Sequence, residues 1–166
     1  MVRRRVSQMN GATGNLKGRA SMIKRIDHTS FTVSDMERSI AFYRDMIGMR
    51  VDWDSAAQGV QFKGPEADKV TGCPGTEQRL VFLMIGDSRI ELVQYTPTGK
   101  PLLHNKASDT GSAHVCFKTD NIQELYHKLL ANRVQLHCAP QHIGFGWVMY
   151  FRDPDGIILE AAQNDL

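Results

Sequence analysis

Ile26-Asp27-His28-Thr29-Ser30-Phe31-Thr32-Val33-Ser34-Asp35-Met36-Glu37 is the stretch on which the fold turns. Its first eight residues alternate in polarity and carry β-branched side chains, which predicts a strand. Ser34 to Glu37 then reads as a capping box, with Ser34 as N-cap and Glu37 three residues on; Met36, Ile40, Tyr43 and Ile47 follow at helical spacing. Gly48 is placed to end that helix in the left-handed conformation. At an offset of 86 residues the pattern returns as Ala113-His114-Val115-Cys116-Phe117-Lys118-Thr119, with Asp120 as N-cap, Gln123 at the box position and Ile122, Tyr126 and Leu129 on the helix. His28 falls on His114 and Phe31 on Phe117.

The ends of the two units match at a smaller offset of 69. Leu80 to Ile85, a turn at Gly86-Asp87 and Arg89 to Tyr95 read as a hairpin, echoed by Trp147 to Phe151, a turn at Asp153-Pro154-Asp155-Gly156 and Ile157 to Gln163. Glu91 falls on Glu160, and Gln94 on Gln163. Val51-Asp52-Trp53 and Val134-Gln135-Leu136 each supply a second strand, so each half is β-α-β-β-β. The predicted organisation is a disordered basic tail over residues 1–21, a first module over 22–95, a linker over 96–110 and a second module over 111–166. Patterned sequence starts at Met22, which reads as a candidate true start. The first module carries a Gly- and Pro-containing insertion at about 55–78, read as a loop or short extra strand that could act as a lid. Gln141 to Gly146 reads as a further loop.

The overall charge of +2 is an average of two unlike parts. Residues 1–25 hold seven basic side chains and no acid, whereas 26–166 hold thirteen basic against eighteen acidic, a net −5. A body of that sign lacks an electrostatic footprint for nucleic acid. Cys73, Cys116 and Cys138 form no CxxC pair and leave an odd thiol, which suits the cytoplasm. No apolar run is long enough to span a bilayer, and the start lacks the apolar core of a secretory signal.

Strand alternation sorts the chemistry onto one face. If Thr29, Phe31 and Val33 lie under the helix, His28 faces away; Val115 and Phe117 likewise leave His114 opposite. Ile90 and Leu92, and Ile157, Leu159 and Ala161, suit the helix-packed side, so Glu91 and Glu160 point from it. A lone strand His is ordinarily a satisfied or solvated group, and a lone Glu a solvated one. Two of each at matched positions predict a metal site of His28, Glu91, His114 and Glu160. Two imidazoles and two carboxylates suit Zn, Ni, Co, Mn or Fe, and a neighbouring Glu is a natural base. Cys116 reads as a packed thiol, His142 as a loop residue, and His104, His127 and His137 as surface groups. Trp53, Phe62, Phe82, Trp147, Met149 and Phe151 are candidates for an apolar substrate wall, with core or dimer packing the plainer reading for most.

These motifs, with Asp35-Met36-Glu37-Arg38-Ser39-Ile40-Ala41-Phe42-Tyr43, Ile90-Glu91-Leu92 and Leu159-Glu160, resemble the vicinal oxygen chelate superfamily over roughly residues 22–163. That superfamily includes glyoxalase I, methylmalonyl-CoA epimerase, extradiol dioxygenases and fosfomycin and bleomycin resistance proteins. The resemblance implies an α+β fold, tandem βαβββ modules forming a cup-shaped mixed sheet around a divalent metal, and a homodimer. It implies a lyase or isomerase that moves a proton next to a carbonyl through a metal-stabilised enediolate, with Glu160 or Glu91 as base, on a small molecule such as a thiol adduct or an acyl-CoA. An extradiol dioxygenase and a non-catalytic binding or resistance protein are the alternatives. Glu91 stands where a dioxygenase is expected to carry His.

Overall fold

The computed structural model describes residues 22–101 and 105–165. The tail read at 1–21, and His104 in the linker, lie outside the described residues.

The first module runs β1 (Thr29–Thr32), α1 (Met36–Ala41) continuing as a π-helical turn over Phe42–Ile47, β2 (Arg50–Asp54), β3 (Phe62–Lys63), α2 (Pro65–Thr71), β4 (Glu77–Ile85) and β5 (Ser88–Thr96). The second runs β6 (Val115–Lys118), α3 (Ile122–Ala131), β7 (Gln141–His142), β8 (Gly146–Arg152) and β9 (Ile158–Asn164). Each module builds its own sheet, ordered β1-β5-β4-β2 with β3 on β4, and β6-β9-β8-β7. In both, the first strand lies parallel to the last and the remaining pairs are antiparallel. The fold is therefore the mixed α+β duplication that the sequence predicts.

Both helices begin one residue later than expected. Asp35, not Ser34, caps α1, accepting from Arg38 N at 3.0 Å, and Asn121, not Asp120, caps α3, accepting from Glu124 N at 3.0 Å. Ser34 is drawn away by a partner far along the chain, since its hydroxyl donates to Asp155. The matched glutamines then explain themselves. Gln94 Oε1 accepts from Met36 N at 3.0 Å and Gln163 Oε1 from Ile122 N at 2.7 Å, so each satisfies an orphan donor in the first turn of its module's helix. Gly48 closes the π-helical turn at φ 88°, as its position demands.

Three other expectations are corrected. Val134–Leu136 is not a strand: only Leu136 bridges to Phe151, and the chain pairs again as β7 after Pro140, which has no N–H to give a ladder. The stretch read as a loop at 141–146 thus opens as a strand, and its return needs Gly146, where a Cβ would lie 2.5 Å from the Gln163 carbonyl oxygen. The insertion holds a helix as well as a short strand. Pro65 at its first turn, Glu66 and Asp68 beside it and Gly72 at its end were the readable signals.

One apolar core runs through both modules, with Met36, Tyr43, Leu83, Leu92, Leu129, Met149, Phe151 and Leu159 among its buried members. Fully burying each large apolar side chain contributes about 1.5–3 kcal/mol. Polar contacts fix the modules to each other. Tyr43 Oη donates to Asp153 at 3.1 Å, Arg38 Nη2 to Asp155 at 2.7 Å and Lys128 Nζ to the Met46 carbonyl at 3.1 Å. Burial is the largest influence on Asp153 and pushes its carboxyl up, against the lowering effect of N–H groups from Ile157 and Asp155 and of the Tyr43 hydroxyl. A carboxyl whose folded pKa is raised weakens the fold as pH climbs from the ordinary carboxylate range towards the folded value. Asp153→Asn carries no such charge, so its stability deficit relative to wild type is expected to shrink as pH rises from about 4 to about 7 in urea melts; a constant deficit would contradict this account of Asp153. No helix among the described residues is long and apolar enough to cross a membrane.

Candidate metal and substrate site

His28 and His114 each occupy the residue before their module's first strand. The parallel register sets Ser30 against Glu91 and Cys116 against Glu160, while the hairpin registers set Phe82 against Glu91 and Tyr150 against Glu160. Ile90 and Leu92 on one side, and Leu159 and Ala161 on the other, lie in the core, so both glutamates point from the opposite face. His28 Nε2 then sits 3.5 Å from Glu91 Oε2, and His114 Nε2 sits 3.0 Å from Glu160 Oε2. Glu91 is 9% exposed and the side chain of Glu160 16%, whereas the imidazoles are open at 34% and 39%. The chain brings the four residues together as two pairs. Among the described residues no group of three or more His, Cys, Asp and Glu side chains gathers for a metal ion.

The two pairs have unequal surroundings. Asp27 Oδ2 is 3.1 Å from His28 Nδ1, and Arg25 and Arg89 lie on the same carboxylate. The hydrogen bond from His28 holds the Asp27 carboxyl below its usual range, with the two arginines adding to it. A carboxylate on Nδ1 with Nε2 facing Glu91 is the arrangement that orients a ligating histidine. Asp27 was not singled out in the sequence, although its position directly before His28 was the available signal; Ala113 precedes His114 and offers no counterpart. Asp27→Asn is expected to lower divalent-ion affinity by about 10–100-fold, the usual cost of losing such a partner, with Tm nearly unchanged. Isothermal titration checks it, and an unaltered affinity would remove Asp27 from the site.

The second pair instead meets Tyr150, whose hydroxyl is 3.5 Å from His114 Nε2 and whose ring meets the imidazole edge-on at 5.2 Å. Burial first, and the Glu160 charge second, push the Tyr150 phenol up. The same order of causes raises the Cys116 thiol, which stands exposed opposite Glu160 rather than packed as the sequence predicts. His137 stacks on Tyr150 at 6.0 Å, and burial, then Arg152, lowers its pKa. His142 is engaged by Asp165 at 3.0 Å and by Trp147, and His127 is exposed.

The apolar wall candidates divide three ways, with Trp147 exposed and meeting His142 edge-on. Met149 and Phe151 are core, at 1% and 0% exposure. Trp53, Phe62 and Phe82 are half-buried and form a wall, with centroids 6.4 Å apart for Trp53–Phe62 and 5.9 Å for Trp53–Phe82, and Phe82 meets the His28 ring at 5.5 Å. Above this face the insertion holds α2 over a cavity of about 580 Å³ that Glu91 and Ser30 also line.

Comparison with known proteins matches residues 25–161 to the glyoxalase/bleomycin resistance protein/dioxygenase superfamily. The mitochondrial methylmalonyl-CoA epimerase of Mus musculus is 26% identical over 147 residues, covering 84% of this chain and 72% of that protein. A virulence protein of Salmonella typhimurium is 31% identical over 149 residues, 86% of this chain and 85% of its own length. The crystal structure of a glyoxalase family protein from Bacillus cereus superposes with a TM-score of 0.73 at 22% identity, over 87% of this chain and 96% of that one.

Proposed function

Since this chain belongs to the glyoxalase/bleomycin resistance protein/dioxygenase superfamily, we propose that it is a divalent-metal-dependent lyase or isomerase that moves a proton on a carbon next to a carbonyl. The observation that carries the reading is the repeated pair: a histidine before the first strand and a glutamate in the parallel last strand, close together in both modules. The donors fit a divalent ion. Each pair offers one imidazole nitrogen and one carboxylate oxygen at a separation that two ligands of one ion can span, and two carboxylates balance a 2+ charge. His28, Glu91, His114 and Glu160 would hold it. When bound, the ion supplies Lewis acidity towards two neighbouring substrate oxygens and so acidifies the adjacent C–H.

The chain's own residues supply the rest. Asp27 keeps His28 in one tautomer and orientation. Glu91 and Glu160 offer a carboxylate from each half, as removal and return of a proton on opposite faces of one carbon require. Glu160 is the better placed to remove it, because the Tyr150 hydroxyl beside it can pass a proton on, whereas Glu91 faces Phe82. The second copy of a homodimer completes the site in this reading. β1 and β6 are edge strands, and the Tyr43–Asp153 and Arg38–Asp155 contacts fix how the two halves of one chain sit.

Metal content and proton exchange test the proposal together. Protein purified without chelator is expected to carry or take up a divalent ion, and the loaded protein to incorporate solvent deuterium at carbon in glutathione hemithioacetal or methylmalonyl-CoA without consuming oxygen. Absence of metal affinity, or oxygen uptake with a catechol, would overturn it.

A further inference from the structure

α2 is an unusual helix for its place. It has seven residues, buries none of them and carries Ala67 and Val70 over the sheet, with Val70 at 86% exposure. Short helices are held chiefly by packing an apolar side against something, and here that side overhangs a cavity of about 580 Å³ whose other walls are Phe62, Leu80, Val93 and Tyr95. Phe62 and Leu80 also line the adjoining hollow with Trp53 and Phe82, so one apolar surface leads from α2 to the His28 ring.

The charges on these walls are one-sided. Lys63 is paired with Glu77 at 3.6 Å, and Arg89 is held by Asp52 at 3.5 Å and Asp27 at 3.6 Å with its guanidinium 4.6 Å from the Phe82 centroid. Each cation on the two hollows therefore already faces an acid. Glu66 lines the cavity too, as does Glu91, whose charge a bound ion would balance, so an anionic group entering it meets the Glu66 carboxylate and only cations that already face an acid.

We propose that the cavity beneath α2 is the pocket for the non-reacting body of the substrate, and that this body is an uncharged aromatic or branched aliphatic group rather than a carboxylate. The inference rests on the carbonyl-chemistry reading only in placing the reacting end at Glu91; the pocket itself stands on α2, its walls and their charges. It narrows the substrate class to carbonyl compounds with an apolar substituent, so that of the two exchange substrates named above a hemithioacetal of an aryl or branched alkyl glyoxal is favoured over methylmalonyl-CoA, and it assigns to Ala67 and Val70 the setting of the pocket's size.

Three chelators with one head group and different bodies test it on the metal-loaded chain by isothermal titration. Benzohydroxamate is expected to bind at least about tenfold more tightly than acetohydroxamate, because only the former buries a ring, and succinic monohydroxamate no more tightly than acetohydroxamate. Ala67→Trp is expected to erase the benzohydroxamate preference while leaving acetohydroxamate binding intact; should that variant lose both, Val70→Trp at an exposed position repeats the test. Equal binding of the first two chelators, a preference for the anionic one, or a preference that survives filling the pocket would each overturn the proposal. If the chain takes up no metal, the catalytic reading fails but the pocket is still tested. Phenylacetamide titrated into the metal-free Trp147→Phe protein is expected to change Trp53 emission, and to lose that effect with Ala67→Phe, which fills the pocket without adding a second indole; no change in emission would overturn the pocket as well.

Discussion

Glu160→Gln, saturated with metal, is expected to lower carbon-bound deuterium incorporation by about 10²–10⁴-fold, the contribution of a positioned general base, which is roughly 3–5 kcal/mol of barrier. The amide keeps an oxygen that can face His114 but has no basic lone pair comparable to a carboxylate, so binding of benzohydroxamate is expected to fall far less than turnover. That split separates a catalyst from a protein that merely holds a ligand. Glu91→Gln is expected to show a smaller loss in exchange, because the group opposite Glu91 in the ladder is Phe82 whereas Glu160 has the Tyr150 hydroxyl beside it. Tyr150→Phe provides the cross-check. It should narrow the difference between the two glutamines, and if Glu160→Gln exchanges deuterium at the wild-type rate, Glu160 is not the base.

The assignment of Glu160 depends on a residue that alternation alone does not select. Reading every second position on β5 and β9 is enough to send Glu91 and Glu160 to one face, since the intervening Ile90, Leu92, Leu159 and Ala161 need the core. Tyr150 needs the register of the β8–β9 hairpin, which its five-residue connection leaves open until the strands pair. The helix starts show the same limit at a smaller scale. Ser34 and Asp35, like Asp120 and Asn121, are adjacent residues of equally good capping chemistry, and the choice at Ser34 is made by Asp155, 121 positions away. Gln94 and Gln163 could be matched by counting, but their shared task, accepting from the first turn of α1 and α3, appears only once strand and helix are packed. α2 is different in kind: its Pro65, its acidic first turn and Gly72 were all present in the sequence, and the surrounding glycines masked them.

Alternation also leaves open how two half-sites meet, because it assigns faces within a sheet and says nothing of where the second sheet stands. The described residues hold two separate His–Glu pairs, so the assembly of four ligands makes a sharp prediction about copies. His28→Ala/Glu91→Gln and His114→Ala/Glu160→Gln are each expected to be inactive alone, since every site then lacks one pair. Co-refolded in equal amounts they are expected to recover about a quarter of wild-type activity per chain: half of the dimers are mixed, and each mixed dimer regains one of its two sites. Metal content should recover in the same proportion, a readout that needs no substrate. If all four ligands came from one chain, no mixture could restore a site, because each chain would still carry its own lesion. Zero recovery with mixed dimers demonstrably present therefore rules out assembly across copies, while recovery near a quarter requires that the first module of one chain and the second of another share the ion.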